Sequence, residues 1–253
     1  WMWPCKNEGE DTRLYKDVKA VSDFAIELGI NVPTGKDSLS MKQKYPNDEV
    51  LSPGTVIISA AGNCTDVKKV VEPVLQKNGG SIYYINLSQD NFKLGGSSFA
   101  QTLNKIGNDA PTIKDAEFFK NAFNTIQELI SEDAILAGHD IGSGGLITTL
   151  LEMCFADINL GAKINFSVFE EKDIIKYLFA ENIGIVFQAK NDAEVELKLN
   201  QQKVTFYKLG RATNEATLDF GPCKLDIAKY RDIWFETSYL LDTKQKKKIK
   251  TGF

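Results

Sequence analysis

From Ser81 onward the chain alternates short apolar runs with longer stretches of helical period, and this rhythm restricts the fold more than any other feature. Asn78-Gly79-Gly80 supplies a turn into an apolar strand over 81–87. Helices are predicted over 97–106 and 116–130, then a strand over 134–137 and a helix over 146–156. A strand over 163–166, a helix over 171–179, a strand over 184–189 and a helix over 192–200 follow. Strands over 204–210 and 216–220 precede an aromatic-rich helix over 226–241, which carries Tyr230, Trp234 and Tyr239. A chain that returns repeatedly from helix to strand can bury its apolar faces by layering helices on a sheet, so the fold class is α/β (layered α+β).

The first sixty-odd residues follow another pattern. Leu14, Val18, Val21, Ala25 and Leu28 recur at spacings of three and four, which predicts an amphipathic helix over 11–28. Glu8, Glu10 and Asp11 place negative charge at its positive end, and Gly29 suits the left-handed residue after its last turn. From Ser38 to Met41 polar and apolar residues alternate, as in a half-buried strand. A charged loop is expected over 46–49, a buried β-branched strand over 55–61 and a short helical connection over 65–76. One helix and two strands are too little for an independent core. The chain therefore divides into 1–64, the incomplete end of one domain; 65–222, an α/β domain; and 223–253, a helix with a basic linker.

The 253 residues carry 30 basic and 34 acidic side chains. Five of the lysines (Lys244, Lys246, Lys247, Lys248, Lys250) crowd the end of the chain as a solvated exit segment. The remainder is then strongly acidic, which excludes nucleic acid as a partner. No run approaches the ~18 apolar residues of a membrane span, and the first residues lack a signal-peptide layout. Cys5, Cys64, Cys154 and Cys223 are scattered, with no close pair to face one metal, and scattered thiols point to a reducing, cytoplasmic setting. His139 is the single histidine, so a multi-histidine metal site is excluded.

Three glycine-rich segments carry candidate chemistry. Gly35-Lys36-Asp37-Ser38 sets a lysine, a carboxylate and a hydroxyl beside a flexible glycine, the groups that phosphate and magnesium need. It is not a Walker loop, because Ile30 stands where the first glycine belongs and the segment runs into a strand. A plain turn into that strand is the alternative reading. His139-Asp140-Ile141-Gly142-Ser143-Gly144-Gly145 ends an apolar strand and opens a helix, where backbone N–H groups can hold an anion. There the alternative is a tight turn capped by Asp140 or Ser143. A hydrolase elbow is excluded, since Ile141 stands two before Ser143 and the only histidine precedes that serine. Leu94-Gly95-Gly96-Ser97-Ser98-Phe99 reads either as a phosphate cradle or as a glycine turn with a serine cap.

Taken together, Trp1-Met2-Trp3-Pro4, Asn7-Glu8-Gly9-Glu10-Asp11 and Pro33-Thr34-Gly35-Lys36-Asp37-Ser38-Leu39-Ser40-Met41 closely resemble the large form of phosphoribosylformylglycinamidine synthase. Leu94-Gly95-Gly96-Ser97 and His139-Asp140 through Gly144-Gly145-Leu146 fit that family in order and rough spacing. Selenophosphate synthetases and thiamine-phosphate kinases share the glycine turns but not the opening motifs. The resemblance implies an ATP- and Mg²⁺-using ligase that converts formylglycinamide ribonucleotide and glutamine to formylglycinamidine ribonucleotide in purine synthesis. It also implies an aminoimidazole ribonucleotide synthetase C-terminal-like domain, preceded by the end of an N-terminal-like one, from the second of two tandem copies. By that resemblance Gly35, Lys36, Ser38 and Ser40 border ATP and substrate, and Asp37 is a magnesium ligand. Asp140 is the metal ligand of an auxiliary ADP site that includes Gly142 and Ser143. The family commonly reads His-Asp-x-Ser-Asp-Gly-Gly there, so a hydroxyl contact at Gly142 is lost or moved to Ser143. Partners are the nucleotide substrates, the rest of the synthetase core and a glutaminase domain. No catalytic residue is expected within the chain, which is expected to be inactive alone; the alternatives are a non-catalytic structural domain binding an auxiliary ADP, or another member of the same synthetase superfamily.

Overall fold

The computed structural model describes residues 1–64 and 66–250, the side chains of 246–250 excepted. The chain forms two compact units, Trp1–Val67 and Lys68–Phe253.

In the first unit α1 spans Glu10–Leu28, opened by the left-handed Gly9 and closed by the left-handed Gly29. Beyond Gly29, the Ile30 N–H reaches back to the Ala25 carbonyl at 2.8 Å and satisfies an otherwise orphaned acceptor. None of the helix's residues is buried. The apolar anchor is Trp3, 1% exposed, against which Gly54 lies so closely that an added Cβ would sit 2.5 Å from the indole ring. The predicted strand from Ser38 is reduced to isolated bridges, Met2 with Ser38 and Pro4 with Ser40. The regular pairing falls one step later, in an antiparallel hairpin of β1 (Lys42–Tyr45) and β2 (Asp48–Leu51). Asp48 and Glu49 therefore belong to a strand rather than a charged loop, and Glu49 is held by Lys42 at 3.1 Å. The run over 55–61 is not a buried strand. Only Thr55 is bridged, to Met2, while Ile57 and Ile58 are 72% and 66% exposed. Its β-branched residues suit an extended backbone, but among the described residues no neighbouring strand covers them.

In the second unit the predicted connecting helix over 65–76 is an irregular segment from 66 onward, residue 65 lying outside the described residues. The remaining elements in chain order are β3 (Ser81–Asn86), α2 (Ser98–Thr102), α3 (Ala116–Ser131), β4 (Ile135–Asp140) and α4 (Gly145–Phe155). After them come β5 (Gly161–Ile164), a 3₁₀ turn (Phe166–Val168), α5 (Ile174–Phe179), β6 (Gly184–Ala189) and α6 (Asp192–Gln201). The chain continues as β7 (Tyr207–Thr213), β8 (Thr217–Asp219), β9 (Lys224–Asp226) and α7 (Ile227–Lys250). The seven strands form one sheet in the order β4-β6-β3-β7-β5-β8-β9. All neighbours are antiparallel except β5 and β8. Helix-strand alternation here yields a mainly antiparallel layered sheet.

Strand β3 shows why both faces are covered. Its alternate residues Ile82 and Tyr84 enter one core, with Leu146, Leu150 and Met153 of α4. Tyr83 and Ile85 enter the other, with Ala122, Ile126 and Leu129 of α3 and Val195 and Leu199 of α6. Burying each such side chain contributes roughly 1.5–3 kcal/mol, enough for the central strand to fix both helical layers. Helix α2 is shorter than predicted, because Leu103 and Asn104 leave the helix, Asn104 in a left-handed conformation. The helical backbone of α7 runs on through the basic stretch after Tyr239 to Lys250.

Candidate functional site

The first candidate turn lies in the first unit. The bridges that replace a regular strand keep 38–41 beside the opening residues: the Ser38 N–H donates to the Trp1 carbonyl at 2.8 Å, and the Ser38 carbonyl accepts from the Trp3 N–H at 2.9 Å. Upstream, the Lys36 ammonium donates to the Ser38 hydroxyl. Gly35, Lys36 and Ser38 line a cavity of about 400 Å³ together with Thr34, Val32 and Val56. A cation and a hydroxyl that already share a hydrogen bond at the wall of a cavity are a suitable pair for phosphoryl oxygens. Asp37 and Ser40 do not line that cavity. The Asp37 side chain is 55% exposed, with one oxygen 3.7 Å from the Trp1 amino group. Ser40 is exposed, and its carbonyl accepts from the Lys42 N–H at 2.9 Å. Sequence reading thus placed five groups in one stretch, and the folded backbone sends three of them to the cavity.

The second turn follows β4 in the second unit. His139 and Asp140 belong to the strand itself, opposite Val186 and Ile185 of β6, and the turn begins at Ile141. Gly144 and Gly145 have φ of 90° and 73°, a region costly for any residue with a Cβ. A Cβ on Gly145 would also lie 2.7–2.9 Å from the backbone of Leu178, Phe179 and Ala180. Gly142 is different. Open space surrounds it, so nothing steric enforces glycine there. Gly142 and Ser143 are exposed, and the Asp140 side chain is 83% exposed. Neither Asp140 nor Ser143 caps α4, since Gly144 takes that position without a side-chain cap. At the 94–99 segment the serine cap is the observed arrangement: Ser97 accepts from the Ala100 N–H at 3.2 Å.

Behind Asp140, His139 presents Nδ1 to the Asp140 carbonyl at 2.8 Å and Nε2 to Glu152 at 3.2 Å. Glu152 accepts from the indole N–H of Trp234 on α7 at 2.8 Å. His139, Glu152, Phe155 and Trp234 line a cavity of about 670 Å³. Sequence reading passed over Glu152, Trp234 and Glu181. A signal for Glu152 was present, because it is the only charged residue of α4. Glu181 receives N–H bonds at 2.8 Å from both Ser98 and Gly144, a convergence that spacing does not encode.

Among the described residues no group of three or more acidic, histidine or cysteine side chains could enclose a metal. Asp37 and Asp140 are single exposed carboxylates. That donor set fits Mg²⁺, which is commonly held by one or two carboxylates with waters and nucleotide phosphates completing its shell.

The layered sheet with glycine turns at its strand ends is matched, together with the unit before it, by two family models. Residues 77–221 match the AIR synthase related protein, C-terminal domain, and residues 1–63 match the FGAR-AT PurM_N-like domain; the chain belongs to the AIR synthase related family. More particularly, it is a relative of the phosphoribosylformylglycinamidine synthases. The probable chloroplastic/mitochondrial synthase of Arabidopsis thaliana is 38% identical over 97% of this chain and 18% of its own length. The Dictyostelium discoideum synthase is 39% identical over 81% of this chain and 15% of its own. The chain therefore spans less than a fifth of either relative. In fold it resembles Thermotoga maritima PurL complexed with FGAR, with a TM-score of 0.57, 14% identity, and coverage of 90% of this chain and 38% of that one. The same organism's PurL complexed with ADP gives a TM-score of 0.55 at 11% identity, with 90% of this chain and 35% of that one covered. Among the described residues no helix is long and apolar enough to cross a membrane.

Proposed function

We propose that this chain is part of an ATP-dependent ligase of purine biosynthesis that converts formylglycinamide ribonucleotide, glutamine and ATP to formylglycinamidine ribonucleotide. The observation that carries the reading is the pairing of Lys36 with Ser38 on a cavity wall, in a chain 38% identical to a named synthase. In this reading Gly35, Lys36, Ser38 and Ser40 border ATP and substrate, and Asp37 holds Mg²⁺. Asp140 holds Mg²⁺ at an auxiliary ADP, beside Gly142 and Ser143. Bound Mg²⁺ would neutralise phosphate charge, which together with positioning is what phosphoryl transfer mainly depends on. The chain's own part is positional. Lys36 and Ser38 orient phosphoryl oxygens by hydrogen bonding, while the open space at Gly142 admits a ligand close to the backbone. The exposed apolar residues of the first unit, Ile57 and Ile58 above all, fit a face covered by the rest of the synthetase core, which with a glutaminase domain is the proposed partner. Four unpaired cysteines suit a reducing compartment, the cytosol in this proposal.

On its own the chain is proposed to lack synthase activity. The test supplies the purified chain with formylglycinamide ribonucleotide, Mg-ATP and ammonia and measures ADP release; no turnover above background is expected. Sustained substrate-dependent ADP release would overturn that part of the proposal. A scaffold role for the second turn is favoured by one observation, the Gly144 N–H already engaged by Glu181.

A further inference from the structure

The segment between α5 and β6 is wedged between two glycine turns. Gly145 lies directly on the backbone of Leu178 to Ala180, where even a methyl group would not fit. Phe179 stacks on Phe99 of α2, with ring centroids 4.7 Å apart. On the far side, the buried Asn182 amide donates to the Ser88 hydroxyl at 3.0 Å and to the Asn91 carbonyl at 3.0 Å. Glu181 therefore sits between two anchored neighbours and is half-buried. One of its oxygens, Oε1, accepts both the Ser98 N–H, at the start of α2, and the Gly144 N–H, at the start of α4. These are the orphan donors that a helix start would otherwise offer to solvent or to an anion.

We propose that Glu181 is an internal anion that ties the 94–98 turn to the 142–145 turn and holds both in one conformation. Its second consequence rests on the nucleotide reading above. With the Gly144 N–H occupied from within, that amide is withdrawn from a nucleotide at this turn, and Asp140, Gly142 and Ser143 remain exposed to it. The two turns then share one carboxylate oxygen in addition to the packing of Gly145 and Phe99 on the 178–180 segment.

The test is amide hydrogen exchange, read residue by residue by NMR on the full 253-residue chain. In Glu181→Ala, exchange at Ser98 and Gly144 is expected to rise together, at least about tenfold. The Ala100 and Ile141 amides, bonded to Ser97 and Gly184, should keep their wild-type rates. Glu181→Gln keeps the oxygen but not the charge, and bonds to a neutral acceptor are weaker, so both amides should quicken by about two- to fivefold. If the alanine variant does not fold, the glutamine variant carries the test alone. Unchanged exchange at both amides, or a change confined to one, would overturn the clamp. Mg-ADP titration of the wild type reports separately on the nucleotide reading: absence of ADP binding would defeat that reading and leave the exchange result standing.

Discussion

At the scale of single residues, the clearest electrostatic arrangement surrounds Asp192, the first residue of α6. Partial burial alone would raise its pKa, but the N–H and hydroxyl of Ser81, each donating at 2.7 Å, and the Lys208 ammonium at 3.1 Å outweigh that and hold it down to about 2. A depressed carboxylate stabilises the fold above its unfolded pKa, near 3.9, and loses that contribution as pH falls through the folded value. Wild type should therefore exceed Asp192→Asn by about 2 kcal/mol at pH 7, and the gap should narrow steadily between pH 4 and pH 2. Urea unfolding at several pH values checks this; a gap independent of pH would contradict it. Asp192 also shows what periodicity leaves unsaid. It was legible as the start of a helix, whereas its bond to Ser81, 111 residues away, was not.

At the scale of elements, the turn between β4 and α4 depends on Gly145. A left-handed φ and backbone atoms of the 178–180 segment at 2.7–2.9 Å both oppose a side chain there. Gly145→Ala is expected to cost about 3 kcal/mol, combining backbone strain with overpacking. Gly142→Ala, in open space, should be nearly neutral, and thermal unfolding of the pair provides the comparison. Equal stability of the two variants would contradict the assignment. The elements themselves were legible where one period ran uninterrupted: α1, α3, α4, α6 and β6 lie within a residue or so of expectation. Reading failed where an apolar pattern met no partner. The run over 55–61 has the composition of a buried strand yet lies exposed, because composition records a preference for burial and not the surface that provides it. Strand β9, three residues long, gave no periodic signal at all. The candidate turns were legible from their glycines, but Glu152, Trp234 and Glu181 reach them through the tertiary fold.

At the scale of the whole molecule, the two units differ in how they satisfy their apolar residues. The second buries both faces of its sheet under helices. In the first, Trp3 is the one large side chain fully buried among the described residues, and α1 buries none. A turn on each unit, built around Asp37 and Asp140, is proposed to bind a magnesium nucleotide. The most direct measurement is calorimetric titration of the chain with Mg-ADP, wild type against Asp140→Ala, with thermal unfolding to confirm that both are folded. Saturable binding is expected, weakening at least about tenfold in the variant and disappearing when Mg²⁺ is chelated. Binding of equal strength in both proteins, or no heat of binding in the wild type, would contradict it.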